Sequence, residues 1–148
     1  MTNFGKIIVF DLNSELYLKY KTKFCQTFVI QENKIEYINA FIDSTLISSI
    51  NYKKNDLITF VHFLEHFHLD DFQSMLDAVP NDIAILIYEP NADTCRDKNW
   101  WHFDEQHVVL TSDKTLVKYF KNRYKAEILI QETCSDDFFL LFKKHTDK

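Results

Sequence analysis

Apolar and polar residues along the chain follow two periods. Lys6–Leu12 (KIIVFDL), Asp56–Phe63 (DLITFVHF) and Asp82–Asn91 (DIAILIYEPN) are nearly continuous apolar runs bounded by polar residues or proline, the pattern of strands buried on both faces of a parallel sheet. Lys34–Phe41 (KIEYINAF) alternates with the period of two expected of a further strand. Between these runs the period lengthens. Asn13–Phe24 places Leu16, Tyr20 and Phe24 at helical spacing behind Asn13 or Ser14 as N-cap, and Asp43–Ile50 predicts a short helix capped by Asp43. Leu69–Val79 predicts a helix closed by Pro80, and Thr111–Tyr124 another that begins at Thr111 or Ser112.

Ala92–Gln106 has no period and reads as a loop. Ala126–Glu132 (AEILIQE) and Asp137–Lys144 (DFFLLFKK) are joined by the short TCSD, which predicts an antiparallel hairpin. Strands alternating with helices place the chain in the α/β class: a reduced Rossmann-like layer, mostly parallel, ending in an antiparallel hairpin. With 148 residues, a single domain spanning 1–148 is expected.

Composition narrows the functional classes. A net charge of -5 argues against binding nucleic acid, which needs a surplus of Lys and Arg against phosphate. Cys25, Cys95 and Cys134 make neither a disulfide framework nor a CxxC zinc site, and KIIVFDL is too short to span a membrane. These features predict a cytoplasmic protein with no membrane attachment. Gly5 is the only glycine, so few positions can take positive φ or let backbone approach a phosphate or carboxylate closely.

Ligands of parallel sheets bind beyond the carboxyl ends of the strands. His62, Glu65 and His66 stand at one such end, and Glu89, Pro90 and Asn91 at another. His62-x-x-Glu65-His66 matches the inverted zincin order, but that motif needs a helix, and the run places His62 still on a strand.

In the order of these elements and in several of their residues, the chain resembles a class I S-adenosylmethionine-dependent methyltransferase of the ubiquinone and sugar O-methyltransferase branch. The residues that carry the resemblance are DLITFVHF followed by Leu64-Glu65-His66, ILIYEPN from Ile85 to Asn91, His102–Phe120, and the closing strand pair, together covering Asp56–Lys143. The resemblance assigns Asp11 to the cofactor ribose, with Asn39, Glu89 and Asn91 as further cofactor-binding positions. Two registers fit upstream. Either KIIVFDL is the family's second strand, and the first strand with its glycine loop is missing, or it is the first strand, with Asn13 and Glu15 where the family has glycines.

The resemblance implies a methyltransferase-like protein diverged at the S-adenosylmethionine cradle, acting as a non-catalytic or partner-completed module in modification of a small molecule or glycan. The alternative is an active O-methyltransferase with an unorthodox cofactor pocket and His62, His66 or His107 as general base. S-adenosylmethionine is the cofactor if the pocket works, and there is none if it is degenerate. A protein partner or second copy completing the sheet belongs to the first reading. The sequence is also similar to the small-RNA 2′-O-methyltransferases, whose pattern would make Glu65, His66 and His102 ligands of a catalytic cation. The reading without a metal is carried forward, and a metal-dependent enzyme built on His62, Glu65 and His66 is its alternative.

Overall fold

A computed structural model describes residues 7–10, 32–38, 40–94 and 108–145. The chain divides into two compact units, Met1–Asp43 and Ser44–Lys148. In the first, β1 (Ile7–Phe10) and β2 (Ile35–Ile38) pair in parallel, with Ile7 opposite Ile35 and Phe10 opposite Ile38. The expected helix over Asn13–Phe24 lies outside the described residues.

The second unit begins with a short helix, α1 (Ser44–Ser49), where Asp43–Ile50 predicted one. Its sheet has the order β3-β4-β6-β5. Strands β3 (Leu57–Val61) and β4 (Ala84–Pro90) are parallel, and β6 (Asp137–Lys143) runs antiparallel to β4 on its other side. Strand β5 (Glu127–Cys134) completes the predicted hairpin outside β6. The parallel pairing followed by antiparallel pairing is the arrangement that the run lengths anticipated.

Two helices connect the strands. In α2 (Leu69–Ala78), Phe72, Met75 and Leu76 recur at helical spacing and are buried, while Asp70 and Asp71 in the first turn offset the positive end of the helix dipole. In α3 (Asp113–Tyr124) the cap is Ser112, whose hydroxyl accepts the Thr115 N–H at 3.3 Å. Leu116, Phe120 and Tyr124 form its buried stripe, and Lys125 ends the helix in the left-handed conformation at φ 49°.

Strand β6 buries every second residue, Phe138, Leu140 and Phe142, against the core, and Phe120 stacks on Phe142 with centroids 4.3 Å apart. Ile85 and Ile87 add the β4 contribution from fully buried positions. The sheet thus seats its helices through a few large side chains at fixed alternation.

Beyond β6, Lys144 is buried, and its ammonium donates to the carbonyls of Leu76 and Asp77 at the C-terminal end of α2. The same group lies 5.3 Å from the centroid of the Tyr124 ring. Desolvation by burial lowers the pKa of Lys144, offset in part by the charge of Asp77. The ammonium adds a charged donor to carbonyls in the last turn of the helix, one of which, that of Leu76, also accepts the Val79 N–H. Lys144→Ala should therefore lower the unfolding free energy by about 2 kcal/mol, since a hydrogen bond from a charged group is worth ~1.5–3 kcal/mol. Lys144→Met, which keeps most of the packing, should lose less, and urea denaturation of the two variants measures the difference.

Candidate functional site

The carboxyl ends of β3 and β4 lie side by side because Val61 pairs with Tyr88. Strand β3 stops at Val61, and His62 follows at φ 45°, a conformation that costs a non-glycine residue energy and turns the chain out of the sheet. The sequence reading kept His62 on the strand. What holds it here is its N–H, which donates to the Tyr88 carbonyl at 2.8 Å just past the strand's last residue. Leu64–His66 then form a single 3-10 turn, so His62, Glu65 and His66 do not share a helical face as a zincin motif requires.

Glu89 anchors this turn. Its Oε1 accepts the N–H groups of Phe63 at 2.8 Å and Leu64 at 2.9 Å, and the residue is 2% exposed. Burial pushes the Glu89 carboxyl up to about 8, backbone N–H groups of Leu64, Phe63 and Glu65 pull against that rise, and the charge of Glu65 adds to it. Among the described residues, no hydrogen-bond partner reaches the buried Oε2 of Glu89.

The imidazole of His62 lies between two carboxylates, with Nδ1 3.4 Å from Glu65 and Nε2 3.8 Å from Asp137. Nε2 of His66 lies 3.7 Å from Glu65. Tyr88 donates its hydroxyl to Asp137 at 2.7 Å, and that bond, with burial second, pushes the phenol up to about 12. The Tyr88 ring meets His62 edge-on and stacks on Phe139. Asp137 and Tyr88 were absent from the sequence-based candidates. The sequence signal for Tyr88 was its place one residue before Glu89, on the opposite face of the same strand.

Asn91 is 3% exposed and serves as a junction. Its N–H donates to the Asp136 carbonyl, its amide donates to Asp113 at 3.4 Å, and its Oδ1 accepts the Asp93 N–H at 3.1 Å. Of the four positions assigned to the cofactor, Glu89 and Asn91 therefore bond the protein's own groups, and Asp11 and Asn39 lie outside the described residues. In the described part of the assigned set the side-chain polar atoms, save one oxygen of Glu89, are already paired inside the fold. His102 and His107 also lie outside the described residues. Among the described residues, no three His, Cys, Asp or Glu side chains are grouped to hold a metal ion.

Beneath the 3-10 turn is a cavity of about 250 Å³. Glu65 of the turn and Glu89 of β4 are among the residues that line it, and Phe67, Phe72, Val109 and Leu116 supply much of its apolar wall. The Glu65 carbonyl accepts the N–H groups of Val108 and Val109, which ties the segment leading into α3 across this space.

No protein-family model matches the sequence, and none of the curated proteins does. Solved structures do. An S-adenosylmethionine-dependent methyltransferase from Clostridium acetobutylicum is similar at 15% identity with a TM-score of 0.59, over 95% of this chain and 76% of that one. A second, from Archaeoglobus fulgidus, has 17% identity and a TM-score of 0.62, over 93% of this chain and 75% of its own. An O-methyltransferase family protein from Burkholderia thailandensis has 11% identity and a TM-score of 0.63. This chain spans 45% of that protein's length.

The fold is the Rossmann-like fold of methyltransferases. At these identities the likeness establishes the architecture, and the chemistry has to be argued from this chain's own residues. No helix among the described residues is long and apolar enough to cross a membrane.

Proposed function

We propose that this chain is a methyltransferase-like module that does not carry out methyl transfer with its own residues, and that it serves the modification of a small molecule or glycan alone or completed by a protein partner. The observation that carries this reading is the internal pairing of the polar groups at the ends of β3 and β4, where a ligand of this fold would sit. Glu89 holds two backbone N–H groups, Asn91 holds Asp93 and Asp113, and each ring nitrogen of His62 lies within 4 Å of a carboxylate of the protein. A lone glycine in 148 residues supports the same conclusion, because side chains at the other positions would fill the volume that backbone N–H groups need to approach a bound methionine carboxylate.

The neighbours from C. acetobutylicum and A. fulgidus are S-adenosylmethionine-dependent by description, which makes that cofactor the ligand to test. At a hundred times its dissociation constant a ligand raises stability by about 2.7 kcal/mol. S-adenosylhomocysteine at millimolar concentration should leave the melting temperature of the purified chain unchanged. A clear rise that disappears in Asp11→Ala would instead establish a working ribose site.

A second reading, an active O-methyltransferase, draws on one feature: the His62 side chain, 31% exposed, stands between Glu65 and Asp137 at the carboxyl end of β3, in the place of a general base open to a substrate. It requires one ring nitrogen to turn from its carboxylate toward a substrate hydroxyl.

A further inference from the structure

The cavity beneath the 3-10 turn lies between the first turns of α2 and α3, within the second unit. The polar side chains around it are engaged elsewhere. Tyr119 donates its hydroxyl to Gln73 at 2.9 Å, and the Thr115 hydroxyl is 3.1 Å from that of Ser112. Oε1 of Glu89 is held by the N–H groups of Phe63 and Leu64, and Oε1 of Glu65 lies within 4 Å of His62 and His66. The Oε2 atoms of both glutamates are buried in the protein, so neither carboxyl opens an oxygen to a molecule in the cavity.

An ion of either sign finds no counter-charge there. Among the described residues no Lys or Arg lines the space, and the positive ends of α2 and α3 are already met by Asp70, Asp71 and Asp113 in their first turns. Water gains little from such walls as well, because an ordered water needs two to four polar partners. An apolar cavity of about 150 Å³ lined by leucine, isoleucine and phenylalanine stays dry and takes up benzene. With about 250 Å³, the present one has room for a ring carrying a short substituent.

Three of the lining residues are aromatic and come from separate elements: Phe67 at the end of the 3-10 turn, Phe72 of α2 and Tyr119 of α3. Rings gain from edge-on and offset contacts with one another beyond the area they bury, which favours an aromatic ligand over an alkyl chain of equal size. Leu69 and Val109 line the cavity too and are 52% and 37% exposed, so the space is not sealed from solvent. We propose that this cavity is a binding site for a neutral molecule built on a single aromatic ring, held by Phe67, Phe72, Leu116 and Tyr119 and entered past Leu69 and Val109. The site goes beyond the methyltransferase-like reading, assigns the ligand no step of methyl transfer and does not depend on whether S-adenosylmethionine binds.

Toluene tests the site against two ions with the same ring, benzylamine and benzoate, each titrated into the full chain at pH 7 and followed by backbone amide shifts. Toluene should give saturable shifts at Leu64, Phe67, Leu116 and Tyr119, leave the amides of β5 in place, and bind at least tenfold more tightly than either ion. Val109→Trp and Leu69→Trp each put a bulky ring at the entrance from an exposed position, and each should weaken toluene at least tenfold while the amides of β5 and β6 stay as in the wild type. Two independent positions keep the test standing if one variant does not fold. Shifts that never saturate or that spread over the whole core, benzylamine or benzoate binding as tightly as toluene, or undiminished toluene affinity in either folded variant would overturn the proposal.

Discussion

A chain carrying Phe120→Ala should unfold with about 4 kcal/mol less free energy than the wild type. Phe120 is fully buried on α3 and stacks on the fully buried Phe142 of β6 with an interplanar angle of 17°. It also meets Phe72 of α2 edge-on at 6.3 Å, so a single ring joins both helices to the sheet. Truncating a buried Phe to Ala removes transfer free energy and leaves a cavity, together about 3–5 kcal/mol. The aromatic contacts place this site toward the upper end of that range. Urea denaturation gives the midpoint and the slope. A loss below 1.5 kcal/mol with unchanged slope would mean that the rings are not packed as described.

The second large effect concerns Glu89 and depends on pH. Glu89→Leu removes the acceptor for the Phe63 and Leu64 N–H groups, each costing about 1–3 kcal/mol when buried unpaired, so a loss of about 3–5 kcal/mol is expected. Glu89→Gln keeps the acceptor and isolates the charge. The folded carboxyl titrates at about 8 against an ordinary value of 4.5, so between these limits the folded chain holds a proton that the unfolded chain has released. Wild-type stability from this group is complete below pH 4.5 and declines as pH rises to 8. A shift of this size corresponds to a few kcal/mol, roughly 5, over the whole window. Glu89→Gln carries no such proton, so its stability relative to wild type should climb steadily from pH 5 to pH 8. Chemical unfolding of both proteins across that range tests this, and a flat difference would show that Glu89 is ionised throughout.

Much of the second unit could be read from residue spacing alone. The helix stripe of Leu116, Phe120 and Tyr124, the cap at Ser112 and the alternation in DFFLLFK all act locally, and local preference and tertiary packing agree there. The site was less legible because its defining contacts are between residues distant in sequence. Phe63 and Glu89 are bonded across 26 positions, and Tyr88 and Asp137 across 49. One clue was available in advance: in IAILIYEP, Glu89 falls on the same strand face as Ile85 and Ile87, which marks it as a buried acid in need of donors. Lys144 gave no such warning, since a lysine after a strand ordinarily extends into water. The segments that hold Asp11, Asn39, His102 and His107 lie outside the described residues, so the sequence reading of those positions stands as an expectation.

The position of β6 between β4 and β5 also bears on how the protein emerges from the ribosome. Ile87 pairs with Leu140, so about fifty residues must be synthesised after the middle of β4 before its second edge can close. Until then β4 has β3 on one side and an open row of backbone groups on the other, beside the apolar faces of two helices that lack Phe138, Leu140 and Phe142 to pack on. Pairing between distant segments is slow relative to helix formation, and the open edge is a template for other nascent chains during that interval. Translation speed and chaperone supply should therefore govern the soluble yield of this chain more strongly than its final stability does.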